Sequence, residues 1–193
     1  KKKVTGNNKD ISDLERIKFE ISYQGKPLSD YKELEIYSKN QTMLENLRLH
    51  YLKKNPPIGV INYYIYGKGG LGSVLYAKEL ASALYPNKTE NELLYFTVKA
   101  DNGYSFLGYD GQPVIIYSDV RAVDLIRLFG NPGSLYANFD THPQAGDVNI
   151  KYGSVKLVNS VNIVNSPQDY NEFLDGLAGE YRDKNGIFHE AED

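Results

Sequence analysis

Residues 66–78 read YGKGGLGSVLYAK, and the fold turns on how this stretch is read. Ahead of it, INYYIY (61–66) is rich in strand formers; after it, VLYAKELASAL (74–84) spaces its apolar residues as a helix does. A strand that enters a helix through glycines brings backbone N–H groups and the positive end of the helix dipole to one point, which favours an anion. Gly67, Lys68, Gly69, Gly70, Leu71 and Gly72 fill the first six places of the phosphate-cradling pattern G-x-x-x-x-G-K-[ST]. The last two places depart from it: Ser73 stands where the lysine belongs, and Val74 where the magnesium-binding hydroxyl belongs. A charge-assisted hydrogen bond contributes roughly 1.5–3 kcal/mol, so losing the lysine lowers ground-state affinity by about one to two powers of ten. Phosphoryl transfer suffers more, because it rests on positioning and charge neutralisation. The amide cradle itself is backbone and survives. Lys68 in the turn and Lys78 on the following helix are the candidate replacement cations. A tight strand-to-helix turn with no ligand is the other reading.

Strand and helix patterns alternate onward from this turn. LLYFTV (93–98), PVIIYSD (113–119) and VNIVNS (161–166) read as strands, RAVDLIRLF (121–129) and DYNEFLDGLAGEY (169–181) as helices, and VNIKYGSVKLV (148–158) as a hairpin. The alternation predicts an α/β domain with helices packed on a mainly parallel sheet. Upstream the pattern is helical: Ser12 and Glu15 have the spacing of a capping box, Ile11, Leu14, Ile17 and Ile21 share a face, a short helix fits 31–38, and another starts at Thr42 with Glu45 three residues on. Paired prolines in KKNPP (53–57) end this region. The expected organisation is a polar linker at 1–9, a small helical element at 10–55 and an α/β domain at 56–193.

Two further strand ends join the glycine turn. Asp119 directly follows PVIIYS, where a carboxylate would hold magnesium, and Ser118 stands where many ATPases carry a second acid. Asp119 reads equally as the N-cap of the helix that starts near Arg121. Asn165 closes another apolar strand, where an amide would orient a water near a γ-phosphate; before Ser166 and Pro167 it is also a good turn former. Three such tips at one edge of a parallel sheet lie where ligands bind in open α/β folds.

Composition narrows the rest. Hydrophobic content of 41%, charge of 24% and a net charge of -3 are those of an ordinary globular chain, so any nucleic-acid contact must be local. No cysteine is present, which excludes disulfides and thiolate metal sites, and the three histidines are scattered. His142 in FDTHP reads as a structural hydrogen-bonder. No apolar run spans a bilayer and no signal peptide is seen, so a cytoplasmic location is the expectation. Starting at Lys1 and ending in HEAED, the chain reads as a piece of a longer one, truncated at its C-terminal side.

IYGKGGLGSVLYAKELASALYP (65–86), SFLGYDGQPVIIYSDVRA (105–122), NFDTHPQ (138–144), NIKYGSVKLVNSVNIVNS (149–166) and EFLDGLAGEY (172–181) together resemble the helicase-like domain of replication initiators from Gram-positive plasmids and integrative elements, related to superfamily-3 helicases. The resemblance implies a P-loop NTPase domain, AAA+-like, built as a three-layer sandwich and preceded by a small helical element that helps assemble a ring. It implies ATP and Mg2+ as cofactors, single-stranded or origin DNA as partner, a homo-oligomer of hexameric type, and a nickase domain in a missing N-terminal portion. Residue by residue, the Walker A falls on Gly67 to Val74, the Walker B acid on Asp119 and the sensor asparagine on Asn165. The channel hairpin falls on NIKYGSV, with Lys151 for phosphate and Tyr152 for a base; Arg121, Arg127 and Arg182 are the possible arginine fingers. The changes at Ser73 and Val74 leave two functions open: a helicase-like ATPase, or an impaired P-loop domain that serves as a ring-forming DNA clamp.

Overall fold

The computed structural model describes residues 7–67, 72–88, 93–98, 105–142, 147–150, 153–179, 181–182 and 187–189. The chain divides into two compact units, Lys1–Pro56 and Pro57–Asp193. The boundary falls between two consecutive prolines, which lack amide donors and cannot continue the preceding helix.

In the first unit, α1 (Asn7–Ser22) and α2 (Glu35–Lys54) flank a single 3-10 turn at Leu28–Asp30. Nothing between Asn7 and Ile11 breaks a helix, so α1 starts before Asp10, and Ser12 lies inside it rather than capping it. The two helices expected over 31–52 are two segments that meet at a kink within 35–54, the first starting at Glu35 rather than Tyr31. The junction is Asn40, which leaves helical geometry (φ -126°, ψ 18°) while its Nδ2 donates to Ile36 O at 2.9 Å, so α2 is two helical segments joined at a kink. Glu45 therefore closes no capping box and accepts from Gln41 Nε2 at 2.8 Å instead.

Ile17, Ile21, Tyr31, Tyr37 and Leu44 form this unit's core. Tyr31 Oη donates to Glu20 Oε2 at 2.7 Å, and that bond, with Lys26 and Arg16 adding to it, holds the Glu20 carboxyl below its ordinary pKa. Gly25 is required twice over. Its φ is +69°, and a Cβ there would strike the Tyr51 ring.

The second unit is built on a four-stranded sheet in the order β1 (Ile61–Tyr66), β6 (Val161–Ser166), β3 (Val114–Tyr117), β2 (Tyr95–Val98), with every pairing parallel. Tyr64, Val164, Tyr117 and Val98 stand side by side across it, so all four carboxyl ends lie along one edge. β3 and β6 are buried at every position, as strands covered on both faces are, whereas β1 is a partly exposed edge.

Alternation along the strands separates two cores. Val114, Ile116, Val161 and Ile163 meet Ala77 and Ala81 of α3 (Ser73–Leu84); the i, i+4 alanines let that helix approach closely. Ile115, Tyr117 and Val164 meet Leu125 and Phe129 of α4 (Ala122–Phe129), Leu135 of α5 (Pro132–Phe139) and Phe173 of α6 (Tyr170–Leu177). Helices thus cover both faces. Two antiparallel pairs stand outside the sheet: β4 (Asp147–Ile150) with β5 (Gly153–Lys156), and β7 (Tyr181–Arg182) with β8 (Phe188–His189).

A chain of amides crosses the sheet. Asn162 Nδ2 donates to Asn62 Oδ1 at 2.8 Å, directly opposite it in register; Asn62 Nδ2 donates to Phe139 O at 2.7 Å. Asn162 Oδ1 accepts from Asn159 Nδ2 at 2.8 Å and from Tyr117 Oη at 3.3 Å. Burial raises the Tyr117 hydroxyl well above its ordinary pKa, so it stays a donor. Asn162→Leu keeps the volume but leaves several of these groups without partners. It should lower stability by about 2 kcal/mol, read as a reduced denaturant midpoint at unchanged slope. An unaltered midpoint would mean the amide chain contributes nothing.

Candidate functional site

The candidate residues gather at the carboxyl edge of the sheet. β1 ends at Tyr66, and Gly67 N still donates to Ser166 O at 3.1 Å, carrying the β1–β6 ladder into the glycine turn. Gly72 then caps α3 with φ +78°, and its carbonyl accepts the first helical bond from Tyr76 N at 2.9 Å. A Cβ on Gly72 would meet nothing within 4 Å, so glycine is needed there for its backbone angle rather than for space.

Ser73 is the first residue of α3, and its Oγ accepts from Asn165 Nδ2 at 2.8 Å. Asn165 is 2% exposed and shares the α3 side of β6 with Val161 and Ile163. The glycine turn and the asparagine-tipped strand, 92 residues apart in sequence, are therefore in direct contact. Val74, half-buried, presents no hydroxyl to the site.

Asp119 follows β3 on the other side of Asn165. Ser118 N donates to Val98 O at 3.1 Å and Val120 N to Asn165 O at 3.0 Å, so the acid sits in a turn tied to both neighbouring strands. Its φ is +57°, the left-handed region, which few residues other than glycine enter and which aspartate tolerates better than most. The N-cap reading of Asp119 does not hold: α4 is capped at Arg121, whose N–H donates to Asp124 Oδ2 at 3.1 Å, and Ala122 N donates to Gln168 Oε1 at 2.8 Å. Asp119 is exposed.

The other candidates fall elsewhere. Lys78 places its ammonium 5.4 Å from the centre of the Tyr95 ring, at the amino end of β2, away from the glycine turn. His142 is at the amino edge too: the neighbouring Thr141 O accepts from Val60 N at 3.1 Å, while His142 Nδ1 lies 3.2 Å from Thr141 Oγ1 and its N–H donates to Asp140 Oδ1 at 2.9 Å. Arg127 reaches Asp124 at 3.9 Å, and Arg182 belongs to β7. Lys68, Gly69, Gly70, Leu71, Lys151 and Tyr152 lie outside the described residues, the last two between β4 and β5 in sequence.

A phosphate group suits this donor set: the amides of Ser73 and Val74 at a helix start, beside a carboxamide. For a metal the set offers the Asp119 carboxylate and no hydroxyl at position 74. The Ser166-Pro-Gln168-Asp169 corner is a feature the sequence reading missed. Asp169 Oδ1 accepts from Glu172 N at 2.9 Å as the cap of α6, and the Asp169-x-x-Glu172 spacing was its available signal. No protein-family model matches the chain, and no curated protein matches it. Among the described residues no helix is long and apolar enough to cross a membrane.

The left-handed turn gives a direct check. Alanine at 119 must adopt an angle that glycine takes freely, so Asp119→Gly should be about 1 kcal/mol more stable than Asp119→Ala, by thermal or denaturant unfolding. Equal stabilities would place residue 119 in ordinary backbone.

Proposed function

We propose that the second unit is the helicase-like ATPase domain of a plasmid or mobile-element replication initiator, with a P-loop fold of the superfamily-3, AAA+-like type, acting on DNA in the cytoplasm. The observation that carries this reading is the 2.8 Å bond between Ser73 and Asn165, beside the acid-tipped turn at Asp119. Glycine turn, carboxylate and carboxamide share one edge of a parallel sheet, which supports phosphate-, metal- and water-directed roles for them. In this reading the turn residues Gly67 to Val74 hold phosphates of ATP through backbone amides, Asp119 holds Mg2+, and Asn165 orients a water. Mg2+, when bound, neutralises charge on the phosphates. Lys151 and Tyr152 contact single-stranded DNA, and copies of the chain assemble around it, with the first unit assisting.

The same bond favours a second reading. Asn165 Nδ2 is engaged by Ser73 Oγ, and the side chain at position 73 is neutral, so a site of this kind holds nucleotide weakly and the domain works as a DNA-bound assembly module.

Nucleotide assays on the purified chain separate the two. The ATPase reading requires a nucleotide-dependent thermal shift and phosphate release stimulated by single-stranded DNA; absence of both leaves only the assembly module. Ser73→Lys restores the cation and should tighten ATP binding about tenfold or more. An unchanged affinity would move the phosphate site away from this turn. Lys151→Ala should reduce the slope of log affinity against log salt by about 0.7 for each lysine that contacts single-stranded DNA. An unaltered slope takes 151–152 out of the DNA contact.

A further inference from the structure

Asp119 holds an unfavourable backbone angle, and three hydrogen bonds bracket it. Two are main-chain bonds, Ser118 N to Val98 O and Val120 N to Asn165 O. The third comes from a side chain: Gln168 Oε1 accepts from Ala122 N at 2.8 Å, three residues past the acid. That amide begins α4, and Ala122 is 1% exposed, so an acceptor lost there is not readily replaced by water.

Gln168 is held just as firmly from its own side. Its N–H donates to Ser166 Oγ at 3.2 Å on β6, its carbonyl accepts from Tyr64 Oη at 2.7 Å on β1, and its Nε2 donates to Glu172 Oε1 at 3.1 Å on α6. All four polar groups of the residue are engaged, each on a different element. The strand of the glycine turn, the asparagine strand and the helix after the acid thus meet in one side chain and its backbone. Burial first of all raises the Tyr64 hydroxyl above its ordinary pKa, which keeps it a donor across the neutral range.

We propose that Gln168 is a positioning residue that fixes the Asp119 turn against β1 and β6. The inference rests, for its functional consequence, on the reading of Asp119 as the metal-holding acid; its structural content does not. The amide acceptor is the part that matters, so glutamate should substitute for it. A carboxylate keeps the acceptor and suits a helix N-terminus, and because it would otherwise face the Glu172 carboxylate, to which Nε2 donates at 3.1 Å, the Gln168→Glu variant is made together with Glu172→Gln, whose amide then donates in its place. Methionine matches the length and offers no comparable acceptor.

The experiment is amide hydrogen exchange by NMR on the whole chain, with Gln168→Met and Gln168→Glu beside the native protein. In Gln168→Met, exchange at Ala122 and Val120 should quicken about tenfold while Ile116 and Ala81, in the sheet and in α3, keep native rates. Gln168→Glu should retain native exchange at Ala122. Unchanged exchange at Ala122 and Val120 in the methionine variant, or equal acceleration at all four amides, would overturn the proposal; the latter would make Gln168 a general stabiliser. A second arm measures binding of a fluorescent ATP analogue with and without Mg2+. Gln168→Met should lose about tenfold of the Mg2+-dependent gain in affinity while binding without Mg2+ is unaltered, and Gln168→Glu should restore the gain. Loss of affinity equally with and without Mg2+ would overturn the positioning role. Should the native protein bind no analogue in either condition, the ATPase reading fails, and the exchange rates alone decide whether Gln168 positions the turn.

Discussion

The site depends on one lateral pairing, β1 against β6. A parallel strand pair can slide, and a slip of one residue would turn every side chain of β1 to the opposite face. Hydrophobic contact alone resists such a slip weakly here, because both faces of β1 carry large side chains, Ile61, Tyr63 and Ile65 on one and Tyr64 and Tyr66 on the other. The Asn162–Asn62 bond resists it strongly: the two carboxamides stand opposite one another, and Asn162 is nearly inaccessible. In any other register its donor would lose this 2.8 Å partner and keep only the 3.5 Å contact with Asn138 O, and a buried donor so poorly satisfied costs about 1 kcal/mol or more. With the register fixed, Gly67 follows beside Ser166, and Ser73 meets Asn165.

The Ser73–Asn165 bond has consequences for charge. In the pattern from which this turn departs, position 73 would carry an ammonium, and the sensor-like amide would face a bound phosphate. Here a neutral hydroxyl accepts from a neutral amide, so both are satisfied without a ligand. The positive field at that point then comes from the start of α3, equivalent to roughly half a charge. One phosphate is well served by that field, but a full triphosphate carries several negative charges and needs counter-charge from the metal or from a cation outside the described part of the turn. Lys78 does not provide it from where its ammonium rests over Tyr95.

Much of the fold was legible because it is encoded locally. VIIY and VNIVNS lack polar-apolar alternation of the half-exposed kind, and both are buried throughout. The Asn131-Pro132 start of α5 was a readable signal that went unused: Asn131 Oδ1 accepts from Ser134 N at 2.8 Å with proline in the first turn. Strand order was not legible, since it is set by non-local pairings, the longest between residues 100 positions apart, Asn62 with Asn162. The start of α1 was misjudged for a different reason. Ser12 has capping chemistry, but a cap forms only where a helix is forced to begin, and nothing between Asn7 and Ser12 breaks the helix; around Thr42 the break was legible, but it falls on Asn40.

At the site the division is similar. Glycine turn, acid and amide could each be picked out as the residue that follows an apolar run, because strand ends are local events. What joins them could not, and Gln168 illustrates why. Nothing in SPQDY distinguishes a glutamine with four engaged polar groups from one in solvent; its significance arises because β1 and β6 end, and α4 and α6 begin, within reach of it. The left-handed angle at Asp119 belongs to the same class. It follows from two ladder bonds that hold residues 118 and 120 to opposite neighbours, so the chain between them must reverse its twist in one residue. An aspartate tolerates that angle better than a β-branched or bulky residue would, and the turn it makes keeps a carboxylate at the sheet edge instead of consuming it as a helix cap.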